Sequence, residues 1–233
     1  MEQTYYEKKE AGEAAVDLIH NKMVIGLGTG STVYHTINKL GEKMKDEKLD
    51  VTCVSTSSNT TEFAKQLGIK LVALNDVQDI DLTIDGADEI DGDFRAIKGG
   101  GGALLFEKIV ASSSRKVAII VDSTKYVDTI GAYPLPVEVL PFGYKYVFER
   151  MVREGFQPNL RKMGNDPFIT DSGNFILDIN VSNIIDKVDT INLEKYINNI
   201  PGVIENGLFT NIVDVIYIGK KDGVEVKNRE KGD

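Results

Sequence analysis

The chain has 233 residues, with 36 acidic and 27 basic side chains and a formal charge of −9. This acidic balance disfavours nucleic acid or an anionic membrane as a partner, because both require a positive protein surface. Cys53 is the only cysteine, which excludes an intrachain disulfide and favours a reducing compartment. The polar amino terminus does not have the pattern of a secretion signal, and no apolar run approaches the roughly 20 residues of a spanning helix. We therefore expect a cytoplasmic protein with no nucleic-acid or membrane partner.

The first half of the chain alternates helical and strand patterns. Apolar residues at helical spacing mark helices over residues 11–19, 33–44 and 60–67. Short apolar or β-branched runs predict strands, at residues 23–27, 51–54, 70–73, 82–84 and 117–121. Strands that alternate with helices of this length predict an α/β fold, with a mostly parallel sheet and helices on both faces.

The pattern changes near Gly131, and four of the six prolines follow within thirty residues. The next elements are predicted in a new order: a helix at 144–153, short strands near 157–160, 168–169 and 175–179, and a helix at 193–198. Residues 171–174, Asp-Ser-Gly-Asn, are typical of a hairpin turn. We interpret residues 131–205 as a smaller α+β domain inserted into a larger domain of residues 1–130 and 206–233.

A glycine-rich segment, Gly-Leu-Gly-Thr-Gly-Ser-Thr at residues 26–32, lies where a predicted strand ends and a helix begins. Glycines allow a ligand to approach the backbone, and the start of a helix offers unpaired N–H groups, so the segment predicts a phosphate site. A dinucleotide fingerprint requires glycine where Ser31 lies, and a nucleotide P-loop requires Gly-Lys before the hydroxyl residue. A simple phosphate ester is therefore favoured, and a glycine-rich turn capped by Ser31 is the alternative.

Asp85 and Asp88 follow a predicted strand, in the segment Thr-Ile-Asp-Gly-Ala-Asp-Glu-Ile-Asp at residues 83–91. This is the carboxyl edge where parallel α/β sheets bind ligands, and carboxylates there could bind sugar hydroxyls or relay protons. The EF-hand calcium pattern does not fit in any register. An acidic turn with helix-capping aspartates remains the alternative.

Four consecutive glycines occur in the segment Lys-Gly-Gly-Gly-Gly-Ala-Leu-Leu-Phe-Glu-Lys at residues 98–108. Such a run is costly in conformational entropy, but it offers backbone donors that could form an oxyanion hole for an enediolate. Lys98 before the run and a carboxylate in the helix after it could supply a cation and a base. A flexible structural loop is the alternative.

Four segments resemble those of the type A ribose-5-phosphate isomerases, in the same order and at similar spacing: GLGTGST, DGADEID, KGGGGALLFEK and PLPVEVLPF. RKMGNDPFITDSGNFILD also resembles a later segment of that family, so that the similarity runs over nearly the whole chain. The resemblance implies a Rossmann-like α/β domain with a smaller ferredoxin-like α+β domain. It also implies interconversion of D-ribose 5-phosphate and D-ribulose 5-phosphate in the non-oxidative pentose phosphate pathway.

The resemblance also implies roles for individual residues. Glu107 would be the general base that moves a proton between carbons 2 and 1 through an enediolate, and Lys98 would stabilise the oxyanion together with backbone N–H groups of residues 99–102. Asp85 and Asp88 would hold hydroxyl groups and assist ring opening. The substrate-binding residues implied are Lys8, Thr29, Gly30, Ser31, Thr32, Asp85, Gly86, Ala87, Asp88, Lys98, Gly99, Gly100, Gly101 and Lys125. The family works without a metal or an organic cofactor and usually forms homodimers or homotetramers.

One position departs from the family pattern. Family members commonly carry an arginine directly before the catalytic glutamate, and here that position is Phe106, which the helical pattern makes a core residue. Two other classes of function remain open. The chain could be a non-catalytic sugar-phosphate sensor. Such sensors usually carry a DNA-binding helix pair, whereas this chain starts almost directly with the first core helix. It could also be another enzyme of related fold: a sugar-phosphate deaminase or lactonase, or a CoA transferase with Glu107 as nucleophile.

Overall fold

A computed structural model describes residues 2–185 and 187–230 of the chain. These residues divide into two compact units. The first takes the described residues within 1–87, 106–126 and 211–233, and the second takes those within 88–105 and 127–210. The change of pattern near Gly131 predicted that residues 88–105 belong to the larger domain. They fall in the second unit because two short strands within them pair with each other and with residues 208–209.

The described residues form six α-helices, three short 3₁₀ turns and fifteen strands. The helices are α1 (Glu2–Ala14), α2 (Ser31–Asp46), α3 (Ser58–Gln66), α4 (Leu104–Ser112), α5 (Tyr144–Arg153) and α6 (Thr190–Asn198). The strands are β1 (Val24–Leu27), β2 (Thr52–Ser55), β3 (Leu82–Asp85), β4 (Glu89–Ile90), β5 (Ala96–Ile97), β6 (Val117–Asp122), β7 (Leu135–Val139), β8 (Pro158–Leu160), β9 (Lys162–Met163), β10 (Asp166–Pro167), β11 (Phe175–Ile179), β12 (Val203–Asn206), β13 (Leu208–Phe209), β14 (Val215–Lys220) and β15 (Gly223–Asn228). No helix among the described residues is both long enough and apolar enough to cross a membrane.

The first unit is built on a six-stranded sheet in the order β15-β14-β6-β3-β1-β2. Every neighbouring pair is parallel except the terminal hairpin of β14 and β15. Along β1 the side chains alternate between two packed faces. Ile25 and Leu27 belong to the large buried cluster that also contains residues of α1, α2 and α3, whereas a Cβ added to Gly26 would lie 2.7 Å from Val110 of α4. Helices therefore cover both faces, and the predicted α/β class is confirmed.

The strand predicted at residues 70–73 is much shorter in the structure. Only Leu71 forms a bridge to Cys53 of β2, supported by the bonds from Cys53 N to Lys70 O and from Val72 N to Cys53 O. The chain then enters a 3₁₀ turn at Leu74–Asp76, which ends the pairing. An apolar run alone could not reveal this turn.

Cys53 is fully buried in β2, and burial raises the pKa of its thiol to about 12. Because the thiolate is the reactive form, we expect no measurable alkylation by iodoacetamide at pH 8 in the native protein. In denaturant, one thiol per chain should react within minutes. Rapid alkylation of the native protein, followed by mass spectrometry, would show that β2 opens far more often than its packing allows.

The second unit contains a four-stranded antiparallel sheet in the order β12-β7-β11-β8. Helix α5 connects β7 to β8 and helix α6 connects β11 to β12, so the chain order is βαββαβ, the ferredoxin-like arrangement. Buried apolar side chains from the sheet and from both helices form one core, including Val137, Val147, Leu177 and Ile197. The smaller ferredoxin-like fold is therefore confirmed, although the strand predicted at 168–169 lies at Asp166–Pro167, where it pairs with β9.

A small three-stranded sheet of β13, β5 and β4 completes the second unit. Backbone hydrogen bonds at its strands hold two of the predicted site residues, Asp88 and Lys98. Asp88 donates its N–H to Ile97 O at 2.9 Å, and Lys98 donates its N–H to Gly207 O at 2.9 Å. The backbone at both residues is therefore held by hydrogen bonds.

Candidate active site

The carboxyl ends of the parallel strands of the first unit lie at one edge of the sheet. The chain runs from β1 to β2 on one side and then returns to β3 on the other side of β1, so the strand order reverses between β1 and β3. In open α/β sheets this switch point is where ligands bind. The glycine-rich segment after β1 and the acidic segment after β3 flank it.

Asp85 and the backbone of the glycine-rich segment fit closely together at this edge. The buried Asp85 carboxylate accepts hydrogen bonds at Oδ1 from Thr29 N at 3.0 Å and from Gly86 N at 2.7 Å. A Cβ added to Gly28 would lie 2.0 Å from the same oxygen. Gly28 is therefore required because the carboxylate occupies the space that a side chain would need.

The start of α2 has the features of an anion site. Gly30 precedes the helix with φ +126°, which glycine adopts without strain, and no side chain caps the helix at this residue. The N–H groups of the first turn of an α-helix have no partner within the helix, and no acidic residue lies in this turn to compete for them. Ser31 and Thr32 begin the helix, as the predicted phosphate site requires.

A hydroxyl cluster that the sequence motifs did not predict supports the glycine-rich segment. Thr29 Oγ1 lies 2.8 Å from both Thr56 Oγ1 and Ser57 Oγ, and Thr60 Oγ1 donates to Gly28 O at 2.8 Å. Ser57 also caps α3 by accepting from Thr60 N. The available signal was a run of hydroxyl residues directly after β2, a strand that ends at the same edge of the sheet.

Helix α1 brings Lys8 to the start of α2. Lys8 Nζ donates to Ser31 Oγ at 3.0 Å and lies 4.0 Å from Asp122 Oδ2 at the end of β6. The neighbouring Glu7 is buried and ties α1 to the segment after β6, because its Oε2 accepts from Ser123 N at 3.1 Å and Ser123 Oγ at 2.7 Å. Lys125 ends this segment and is half-buried.

Glu7 provides a pH-dependent contribution to stability. Burial raises the pKa of its carboxyl, but hydrogen bonds from Ser123 and Gln3 outweigh burial and bring the pKa below 4.5. Since the folded-state pKa is the lower one, this stabilisation is complete above about pH 4.5 and is lost as the pH falls through the folded pKa. We expect Glu7→Gln to lower the free energy of unfolding by about 1–2 kcal/mol at pH 7.

Urea unfolding of wild type and Glu7→Gln across pH 3–7 measures this contribution. The difference between the two proteins should shrink on acidification and vanish once Glu7 is protonated in both states. A difference that stays constant across the whole range would contradict the carboxylate's role.

Glu107 lies in the first turn of α4 and is buried, with 4% of its surface exposed. The preceding residue, Phe106, is half-buried and lines a groove of about 670 Å³ whose wall includes Val54, Leu71 and Leu74. Phe106 therefore lies against apolar residues of its own unit.

Lys98 of the second unit is buried, with 2% exposure, and its Nζ lies 5.4 Å from the centroid of the Phe209 ring. A cation over an aromatic face is stabilised electrostatically. Asp88 Oδ2 accepts from Gly100 N at 2.7 Å. Burial and the charge of Asp88 raise the pKa of Tyr133, whose hydroxyl would lie 2.4 Å from a Cβ added to Gly100.

The four glycines form an ordered turn rather than a loop without internal contacts. Gly102 N donates to Gly99 O at 2.9 Å, and these two residues have φ values of +83° and +104°. A Cβ on Gly102 would lie 2.4 Å from the Phe168 ring, and one on Gly100 would meet Asp88. Gly101 has open space around it and is exposed. Three of the glycines are thus required by backbone angle or by contact, which disfavours the flexible-loop alternative.

The predicted site residues fall into two sets, one in each unit. The first unit contains Lys8, Thr29, Gly30, Ser31, Thr32, Asp85, Gly86, Ala87, Glu107 and Lys125, and the second contains Asp88, Lys98, Gly99, Gly100, Gly101 and Gly102. Within the described residues no group of three or more histidine, cysteine, aspartate or glutamate side chains could hold a metal ion.

The glycine-rich segment, the start of α2 without a side-chain cap and the hydrogen-bonded Asp85 lie together at the switch point of an α/β sheet. A sequence profile described as "Ribose 5-phosphate isomerase A (phosphoriboisomerase A)" matches residues 52–223. Ribose-5-phosphate isomerase A of Listeria monocytogenes is 50% identical over 218 residues, which are 93% of this chain and 96% of that protein. The chain belongs to the ribose 5-phosphate isomerase A family.

Solved structures agree with this assignment. Ribose 5-phosphate isomerase A of Methanocaldococcus jannaschii superimposes with a TM-score of 0.90 at 40% identity, covering 96% of this chain and 98% of that one. A D-ribose-5-phosphate isomerase in complex with phospho-erythronic acid gives 0.90 at 38% identity, with the same coverage. The type A family resemblance read from the sequence is confirmed.

Proposed function

We propose that this protein interconverts D-ribose 5-phosphate and D-ribulose 5-phosphate. The observation that carries the proposal is the junction at the switch point, where Asp85 receives the N–H of Thr29 directly beside the uncapped start of α2. This junction combines an anion site, which suits the phosphate of a sugar phosphate, with a carboxylate, which suits its hydroxyl groups. Membership of the isomerase family supports the choice of substrate.

The phosphate group binds the first turn of α2. Backbone N–H groups of residues 30–32 and the hydroxyls of Thr29, Ser31 and Thr32 act as donors, and Lys8 and Lys125 supply positive charge. The bond from Lys8 Nζ to Ser31 Oγ supports this role, because it keeps an ammonium group at the helix start. An acidic protein can therefore hold an anion through local donors.

Asp85 and Asp88 bind sugar hydroxyls and assist ring opening. In the reaction, a base removes the proton from carbon 2 of the open-chain aldose, and the electron pair forms the C1–C2 double bond of an enediolate. The carbonyl oxygen at carbon 1 takes the negative charge. The proton is then delivered to carbon 1, and the hydroxyl proton moves from oxygen 2 to oxygen 1, which gives the ketose. Glu107 is the proposed base.

Lys98 and the N–H groups of residues 99–102 stabilise the negative oxygen. A buried ammonium acts strongly on a developing charge because little water screens it. The relative solved with phospho-erythronic acid supports this type of intermediate. A phosphorylated aldonic acid carries a planar carboxylate, which resembles an enediolate in shape and charge.

Three further statements belong to the same proposal. The reaction takes place in the non-oxidative pentose phosphate pathway, the protein is cytoplasmic, and it forms a homodimer or a homotetramer. Family membership supports the place in the pathway. The names of the relatives, which are metabolic isomerases, are consistent with a cytoplasmic location. Analytical ultracentrifugation would decide the third.

Ketose formation from ribose 5-phosphate, followed by absorbance near 290 nm, tests the proposal. We expect saturable, reversible conversion in buffer that contains EDTA, and no conversion of ribose without its phosphate. Saturable binding of ribose 5-phosphate without any ketose would contradict an isomerase and favour a sensor. Hydrolysis or deamination products would favour another sugar-phosphate enzyme.

A further inference from the structure

Arg161 binds two consecutive carbonyl groups of the glycine turn in the second unit. Its Nη1 donates to Gly99 O at 2.8 Å and to Gly100 O at 3.0 Å. Arg161 is the first residue of the segment 161–178, which resembles a segment of the type A isomerases. The proposed reaction assigns no role to this segment.

The guanidinium of Arg161 is itself held in place. Asp178 binds it through two parallel bonds, Nε to Oδ2 at 2.9 Å and Nη2 to Oδ1 at 2.5 Å, and both side chains are largely buried. Such a bidentate pair fixes the plane of the guanidinium as well as its position. The Phe168 ring, which closes against Gly102, lies 5.8 Å from the guanidinium carbon. The group that contacts the turn therefore has one orientation.

Peptide planarity transmits this orientation to the opposite side of the turn. The C=O and N–H of a trans peptide point in opposite directions. Because Gly100 O faces Arg161, the N–H of Gly101 points away from Arg161, and no described residue accepts from it. Gly101 is exposed and has open space around it. The preceding peptide is fixed at both ends, by Arg161 at Gly99 O and by Asp88 at Gly100 N.

We propose that Arg161 is a positioning residue for the isomerisation, a role that rests on the proposed function. It holds the peptide between Gly100 and Gly101 so that the Gly101 N–H donates to the oxyanion of the enediolate. A charged donor on the carbonyl also polarises the peptide and strengthens its N–H as a donor. Arg161 acts through the backbone and does not touch the substrate.

Kinetics of Arg161→Met measure this role. We expect kcat to fall about 100-fold, the effect of losing an oxyanion donor, while KM changes less than about threefold. The affinity for phospho-erythronic acid, used as an inhibitor, should fall in parallel with kcat. A merely structural role would weaken the binding of the substrate and of the inhibitor alike. Lys162→Met, which changes the adjacent exposed cation, is the matched control and should leave kcat, KM and inhibition unchanged.

Two milder variants keep the proposal testable if Arg161→Met does not fold. Arg161→Lys retains the charge but cannot bind both carbonyls and Asp178 together, so we expect about a tenfold loss of kcat. Asp178→Asn removes the charge that orients the guanidinium, and we again expect about a tenfold loss. Folded variants with kcat within about threefold of the wild type would overturn the proposal.

Amide hydrogen exchange in the ligand-free protein separates this inference from the proposed function. Exchange of the Gly100 N–H should accelerate about tenfold or more in Arg161→Met and stay unchanged in Lys162→Met. Unchanged exchange in Arg161→Met would overturn the ordering role of Arg161 even in an active protein. A wild type that shows this ordering but forms no ketose would overturn the proposed function and the catalytic part of the inference.

Discussion

Glu107→Gln lowers kcat for ribose 5-phosphate by about 10³-fold or more, because the amide cannot take the proton from carbon 2. Glutamine has nearly the same shape as glutamate, so the buried position on α4 stays filled and the fold is expected to persist. KM should change little, since the proposed role of Glu107 lies in the chemical step rather than in phosphate binding. Initial rates of ketose formation measure the effect.

The matched control is Glu62→Gln, which neutralises an exposed carboxylate on α3 of the same unit. It should retain wild-type kcat and KM. Circular dichroism and thermal melting should show both variants folded. Full activity of a folded Glu107→Gln would overturn the mechanism and require another base.

Gly28→Ala lowers kcat/KM by about 100-fold, because a Cβ at this position would lie 2.0 Å from Asp85 Oδ1. Either the Asp85 carboxylate moves or the segment after β1 moves, and both changes break the bond from Thr29 N. A displacement of about 1 Å of a positioned group is enough for a loss of this size. Overpacking should also lower the free energy of unfolding by about 1–3 kcal/mol.

Gly41→Ala is the control for this substitution. Gly41 lies inside α2, where a Cβ would be 3.4 Å from the nearest atom, Leu67 Cβ, and alanine favours a helix. We expect unchanged activity and equal or greater stability, from urea unfolding and initial rates. If Gly28→Ala kept wild-type activity, Asp85 would not depend on this close approach.

Much of the fold follows from periodicity. Alternating helices and strands predicted the parallel sheet, and the switch in pattern near Gly131 predicted a second α+β region. The boundary was harder, because residues 88–105 lie among the elements of the first unit in sequence. Their place is set by pairing with residues 208–209, a contact across more than a hundred residues that no local pattern encodes.

The site was predictable where chemistry lies in contiguous segments. Glycines before a helix, acids after a strand and a lysine before four glycines are local signals with local physical reasons. The supporting contacts are not local. The hydroxyls of Thr56 and Ser57 reach Thr29 across 27 and 28 residues, and Arg161 reaches Gly99 across 62. Only the topology of each unit brings these groups together.

Proton NMR of the protein with ribose 5-phosphate in heavy water, in the presence of EDTA, tests the central claim most directly. The account predicts ribulose 5-phosphate, with deuterium incorporated at carbon 1 of the ketose and at carbon 2 of the recovered aldose. In Glu107→Gln, both the conversion and the deuterium incorporation should be lost. Conversion in which the carbon 2 proton moves fully to carbon 1, at an unchanged rate in Glu107→Gln, would contradict an enediolate formed by this carboxylate.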